Sequence, residues 1–159
     1  VKDLSGLDKN QFLDRVGENF TVEKSETSIS PTAKGQFGML LDGCWYRLTA
    51  KPRICTPDPV AGLDVSLLQD HLLGPILGIG DPRTDKRIDF IGGIRGLKEL
   101  ERRVNLDMAV AFSMYPTSMD ELLSVADAGL LMPPKSTWFE PKLRSGIFIH
   151  RWTNTSKGV

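Results

Sequence analysis

QFGMLLDGCWYRLTA, residues 36–50, decides the fold. Two strand-like runs are joined there by Asp42 and Gly43 alone. A connection of two residues needs positive φ at both, which Asp tolerates and Gly adopts freely, so the stretch predicts a β-hairpin with a type I′ turn. Immediately upstream, Ser25 to Gly35 is rich in Ser, Thr and Pro without periodicity and reads as an exposed loop. Before it, Phe20 to Lys24 alternates apolar and polar residues, as a short strand does. A helix from Asp8 to about Glu18 precedes that strand, with Asp8 as its cap and Phe12, Leu13 and Val16 on one face.

Downstream, Lys51 to Gly62 holds three prolines and reads as a connector. Asp64 then predicts the cap of a helix carrying Val65, Leu67, Leu68, His71 and Leu72, closed by Gly74-Pro75. His71, set among leucines, reads as a core or boundary imidazole. In GIGDPRTDKRIDFIGGIRG, residues 78–96, the centre from Arg87 to Ile91 predicts a strand and Gly92-Gly93 a turn. Ile94, Leu97, Leu100 and Val104 then share one face of a helix ending near Arg103, with Glu99 and Arg103 spaced as an i,i+4 ion pair. The apolar run from Met108 to Met114 suits a strand covered on both faces. Strand, helix and strand in that order predict a right-handed crossover between parallel strands. Ser118 and Glu121 form a capping box opening a helix with Met119, Leu122, Leu123 and Ala126 inward, and Gly129 stops it. Ile147 to Trp152 reads as a final strand, and Thr153 to Val159 as a frayed tail. The sum is a single α+β domain: a mixed sheet with a hairpin, one β-α-β crossover and about four helices.

Lysine and arginine number 20 against 20 aspartates and glutamates, a balance that argues against general nucleic-acid binding. Two cysteines, Cys44 and Cys55, without a spaced His/Cys cluster exclude a zinc fold and point to a reducing, cytoplasmic compartment. No apolar run is long enough to span a membrane, and no leader resembles a signal peptide. The chain begins at Val1, which reads as a fragment of something longer.

Three constellations are candidates for chemistry. In MPPKSTWFEPKLRSGIFI, residues 132–149, two prolines set a stiff non-helical segment carrying Lys135, Ser136, Thr137, Lys142 and Arg144, a set suited either to an anion such as phosphate or carboxylate or to a surface loop with solvated charges, and composition favours the loop. Lys-Ser-Thr is not the end of a P-loop, because prolines replace the Gly-rich turn. Asp81, Arg83, Asp85, Lys86 and Arg87 suit either a phosphate site or a salt-bridged loop, and composition favours the loop. Gly92, Gly93, Arg95 and Gly96 stand at a helix start, where free amides favour an anion and where glycines equally serve simply to make the turn. No Ser/His/Asp set is arguable around His71 and His150.

The tracts GIGDPRTDKRIDFIGGIRG, VADAGLLMPPKSTWFEPKLRSGIFIH and DVSLLQDHLLGPILGI together resemble the domain-of-unknown-function family 1015, over about Phe20 to His150. Members of that family are longer, and this chain resembles their C-terminal half. The resemblance implies an N-terminal half bearing an Asp-Gly-His-His-Arg motif like that of the sulfiredoxin and ParB-like superfamily, which includes nucleotide-dependent free-serine kinases. It therefore implies a full-length phosphoryl-transfer enzyme using ATP or ADP with Mg. Its general base would lie outside this chain, leaving the isolated chain inactive and without catalytic residues of its own. Lys135, Ser136, Thr137 and Lys142 fall on the family's signature, as do Asp81, Arg83, Asp85 and Arg95 in the Gly-rich tract. The expected partners are the N-terminal half and a small anionic ligand. The competing expectation is a non-catalytic module that docks on the N-terminal half, with Trp138 and Phe139 as anchors.

Overall fold

A computed structural model describes residues 1–137. Four antiparallel strands form its sheet: β1 (Phe20–Ser25), β2 (Gln36–Leu41), β3 (Cys44–Ala50) and β4 (Val110–Met114), in the spatial order β1-β3-β2-β4. The predicted hairpin is its centre. Leu41 pairs with Cys44 across a turn in which Asp42 has φ 50° and Gly43 φ 69°, the two positive values that a type I′ turn requires.

Helices cover both faces. Helix α1 (Lys9–Asn19) opens on a capping box in which the Asp8 carboxylate accepts from the Asn10 and Gln11 amides, while the Gln11 side chain accepts from the Asp8 amide. Phe12 and Val16 of α1 join Phe37, Met39, Leu41, Leu48 and Val110 from one sheet face in the larger core. Helix α2 (Asp64–Leu68) continues through a wider π turn over Gln69–Leu73 and adds Leu67, Leu68, Leu72 and Leu73 to that core. On the opposite face Leu40, Trp45, Ala111 and Ile29 pack against Leu97, Leu100 and Val104 of α3 (Gly96–Leu106). Because β2 is covered on both sides, its apolar residues run on without alternation.

The α+β class, the hairpin and the four helices agree with the sequence reading. Among the described residues the mixed sheet and its β-α-β crossover do not, because β4 runs antiparallel to β2 and Arg87–Ile91 is not a strand. Polar groups of that segment are engaged elsewhere. The Arg87 amide donates to Asp85 Oδ1, the Phe90 amide to Asp89 Oδ1, and the Arg87 carbonyl accepts from Lys2. Val1, meanwhile, lies against the start of β4, where its ammonium donates to the Val110 carbonyl at 2.6 Å.

Four smaller expectations are also corrected. Asp64 is the first residue of α2 and Leu63 its cap. Ile94 precedes α3 in a short 3-10 turn and is exposed, and Glu99 pairs with Arg102 rather than Arg103. In α4 (Met119–Asp127) the Ser118–Glu121 capping box forms as expected, but Val125 is the residue buried, whereas Met119, Leu123 and Ala126 are exposed. The predicted strand at Ile147–Trp152 and tail at Thr153–Val159 lie outside the described residues.

Candidate functional site

The Pro133–Thr137 turn begins with its prolines. Pro134 fixes its own φ and is followed by Lys135 at φ 62°, with the Ser136 amide donating back to the Pro133 carbonyl at 3.4 Å. Pro at the second position and positive φ at the third are the pattern of a type II turn, which ordinarily places Gly where Lys135 stands. The Ser136 hydroxyl donates to the Pro133 carbonyl at 2.6 Å, so it serves the turn first. The Ser136 carbonyl accepts from Thr117 Oγ1 at 3.1 Å, which ties the turn to the entrance of α4. Lys135 and Thr137 are exposed. Lys142, Arg144, Trp138 and Phe139 lie outside the described residues.

Local partners take up the Asp81 and Asp85 carboxylates of the Gly-rich tract. The Arg83 guanidinium grips the Asp81 carboxylate through Nε and Nη2, at 3.0 and 2.8 Å, and this side-chain bond draws the Asp81 pKa down to about 2. Asp85 is held the same way by Arg87, at 3.2 Å from Nε and 2.8 Å from Nη2. The Arg87 guanidinium also donates to the carbonyls of Leu77 and Gly78 and to Ser5 Oγ, so it staples the tract to the chain's opening loop. Two ion pairs thus brace the tract, Asp81 with Arg83 and Asp85 with Arg87. Arg95 stands exposed at the start of α3, close enough to Glu99 to lower that carboxyl's pKa, although Arg102 supplies the larger part of the shift.

Lys135 therefore sits beside α4, whereas Asp81, Arg83 and Asp85 sit beside the Leu77–Gly78 corner. Among the described residues no hydrogen bond or ion pair joins the two groups. Neither Lys135 nor Arg95 makes an ion pair there. No group of three His, Cys, Asp or Glu side chains suited to a metal ion gathers among the described residues.

One charged cluster was not visible in the sequence. The Lys34–Gly35 turn, at the entrance to β2, is held by two carboxylates. Asp64 Oδ1 accepts from the Gly35 amide at 2.8 Å, and Glu121 Oε1 pairs with Lys34 Nζ at 2.8 Å. Burial pushes the Asp64 pKa up to about 6, and the charge of Glu121 adds to the effect. A carboxyl whose pKa is higher folded than unfolded binds more protons in the folded chain between about pH 4 and 6, so its contribution to stability is lost as pH rises through that window. Asp64→Asn keeps a carbonyl for Gly35 and cannot ionise. Its stability relative to the parent should rise between pH 4 and 7 by on the order of 1 kcal/mol. Urea melts of both chains across that range check the sign. A difference that stays flat with pH would remove Asp64 as the titrating group.

Among the described residues no helix is long and apolar enough to cross a membrane. Residues 1–66 match the family described as "Protein of unknown function (DUF1015)". The match spans α1, β1 to β3 and the beginning of α2, and it ends before both the Gly-rich tract and the Pro-Pro-Lys-Ser-Thr turn. No curated protein and no solved structure matches the chain.

Proposed function

We propose, on the premise that residues 1–66 belong to the DUF1015 family, that this chain is a docking half of a larger protein, one that closes onto a separate N-terminal half instead of carrying a reaction centre itself. The observation that supports this reading is α4. Only Val125 of that helix is buried, while Met119 and Leu123 are 64 and 52% exposed and Leu131, just beyond it, 88%. Large apolar side chains set close together on the surface are the mark of an interface. The site chemistry agrees, since Asp81, Arg83 and Asp85 are spent on local pairs.

Within that assembly the activity we propose is nucleotide-dependent phosphoryl transfer, with ATP or ADP and Mg held mainly by the other half. Lys135 supports this part of the reading. It is exposed and held in a left-handed backbone conformation that a lysine adopts only at a cost, an outlier of the kind that collects at ligand clamps. A cation there would meet a transferred phosphate. The test is titration of this chain against a separately produced N-terminal half of a full-length family member. Association at micromolar concentration is expected. No association at that concentration would sink the docking reading.

A further inference from the structure

We infer that the exposed side of α4 takes a basic amphipathic protein segment, a conclusion that rests on the docking reading and adds the chemistry of the partner. Met119, Leu123 and Asp127 stand at i, i+4 and i+8, so they form one row along the helix. Leu130 and Leu131, both exposed, extend the apolar surface past the helix end. Between Met119 and Pro134 the sequence carries Asp120, Glu121 and Asp127 and no lysine or arginine. Glu121 is committed to Lys34, whereas Asp120 and Asp127 are exposed on the side away from Val125. The surface thus carries the apolar pair Met119 and Leu123 with two carboxylates, Asp120 beside it and Asp127 at its end, that make no ion pair among the described residues. A complementary segment presents leucine-like side chains at helical spacing with lysine or arginine beside them, the arrangement of an amphipathic helix laid against an apolar face. The same carboxylates repel anionic lipid and nucleic-acid phosphate, so a protein partner is favoured over either.

Two synthetic helical peptides with the same leucine stripe test this, one flanked by lysines and the other by glutamates, titrated against the full chain. The lysine peptide should bind tighter by about tenfold, and Leu123→Lys should weaken it by a similar factor. In the double variant Asp120→Lys, Asp127→Lys, at two exposed positions and with retained helix content checked by circular dichroism, the preference should reverse toward the glutamate peptide. Equal binding of the two peptides, an unchanged preference in the double variant, or stronger attachment to phosphatidylserine vesicles than to the lysine peptide would each overturn the inference. Failure here is separable from failure of docking. If the N-terminal half associates equally well with the parent and the double variant, docking stands and the basic partner does not.

Discussion

Phe37→Ala should lower the unfolding free energy of the chain by about 3–5 kcal/mol, the range for deleting a large aromatic side chain from a closed core. Phe37 is fully buried in β2 and meets the Phe20 ring edge-on, with centroids 5.7 Å apart and planes at 89°. It sits opposite Leu48 on β3 and Met114 on β4, so one side chain ties β1, β3 and β4 together through the central strand. The edge-on pair contributes roughly 0.5–1.5 kcal/mol within that total. Truncation leaves a space bounded by rigid strands rather than by movable loop, so relaxation recovers little of the loss. Leu123→Ala, on the exposed side of α4, is the internal reference and should change stability by less than about 0.5 kcal/mol. Urea denaturation followed by tryptophan fluorescence gives both values. A Phe37→Ala loss below about 1 kcal/mol would mean that the two phenylalanines do not form the centre of the larger core.

The sequence was informative where the cause of a structure is local. Asp42-Gly43 specifies its turn because both residues must accept positive φ, and Asp8 and Ser118 specify helix starts because each side chain reaches an amide three residues on. It failed where a partner is distant. Nothing in the order of residues says that Asp64 will bond Gly35 across 29 positions, or that Arg87 will donate to the Leu77 and Gly78 carbonyls. The Arg87 amide is likewise taken by Asp85 and its carbonyl by Lys2, so this segment lies outside the sheet and β4 is an antiparallel edge strand with no parallel crossover before it. The reading of α4 failed for another reason. Its sequence holds two apolar rows, Leu122 with Val125 and Met119 with Leu123, and periodicity alone does not choose which faces the core. The candidate site divided along the same line. Residue types in the Pro-Pro-Lys-Ser-Thr and Gly-rich tracts were legible as cations and acids, but their partners, which decide whether a cation is free, were not.

Gly38→Ala should destabilise the chain by about 2–3 kcal/mol, although strand propensity alone predicts a small gain. Gly38 lies mid-strand in β2 opposite Ser113 of β4. A β-carbon there would overlap Ser113 Oγ, come within 2.6 Å of the Ile29 carbonyl oxygen and lie 3.0 Å from Ile29 Cβ. The two effects oppose each other, so the sign of the change decides between them. Overlap wins because Ile29 and Ser113 are themselves buried and fixed to each other, with Ser113 Oγ donating to the Ile29 carbonyl at 2.7 Å. Ser113→Ala alone should cost about 1 kcal/mol by leaving that carbonyl unpaired. In the Gly38→Ala background it should cost less, since it removes one of the overlapping atoms, giving a favourable coupling on the order of 1 kcal/mol. Four melts measure the cycle. A Gly38→Ala chain at least as stable as the parent would mean that the Ile29 loop does not cross the sheet at this glycine, and the second core, where Ile29 meets Trp45 and Leu40, would lose its outer wall.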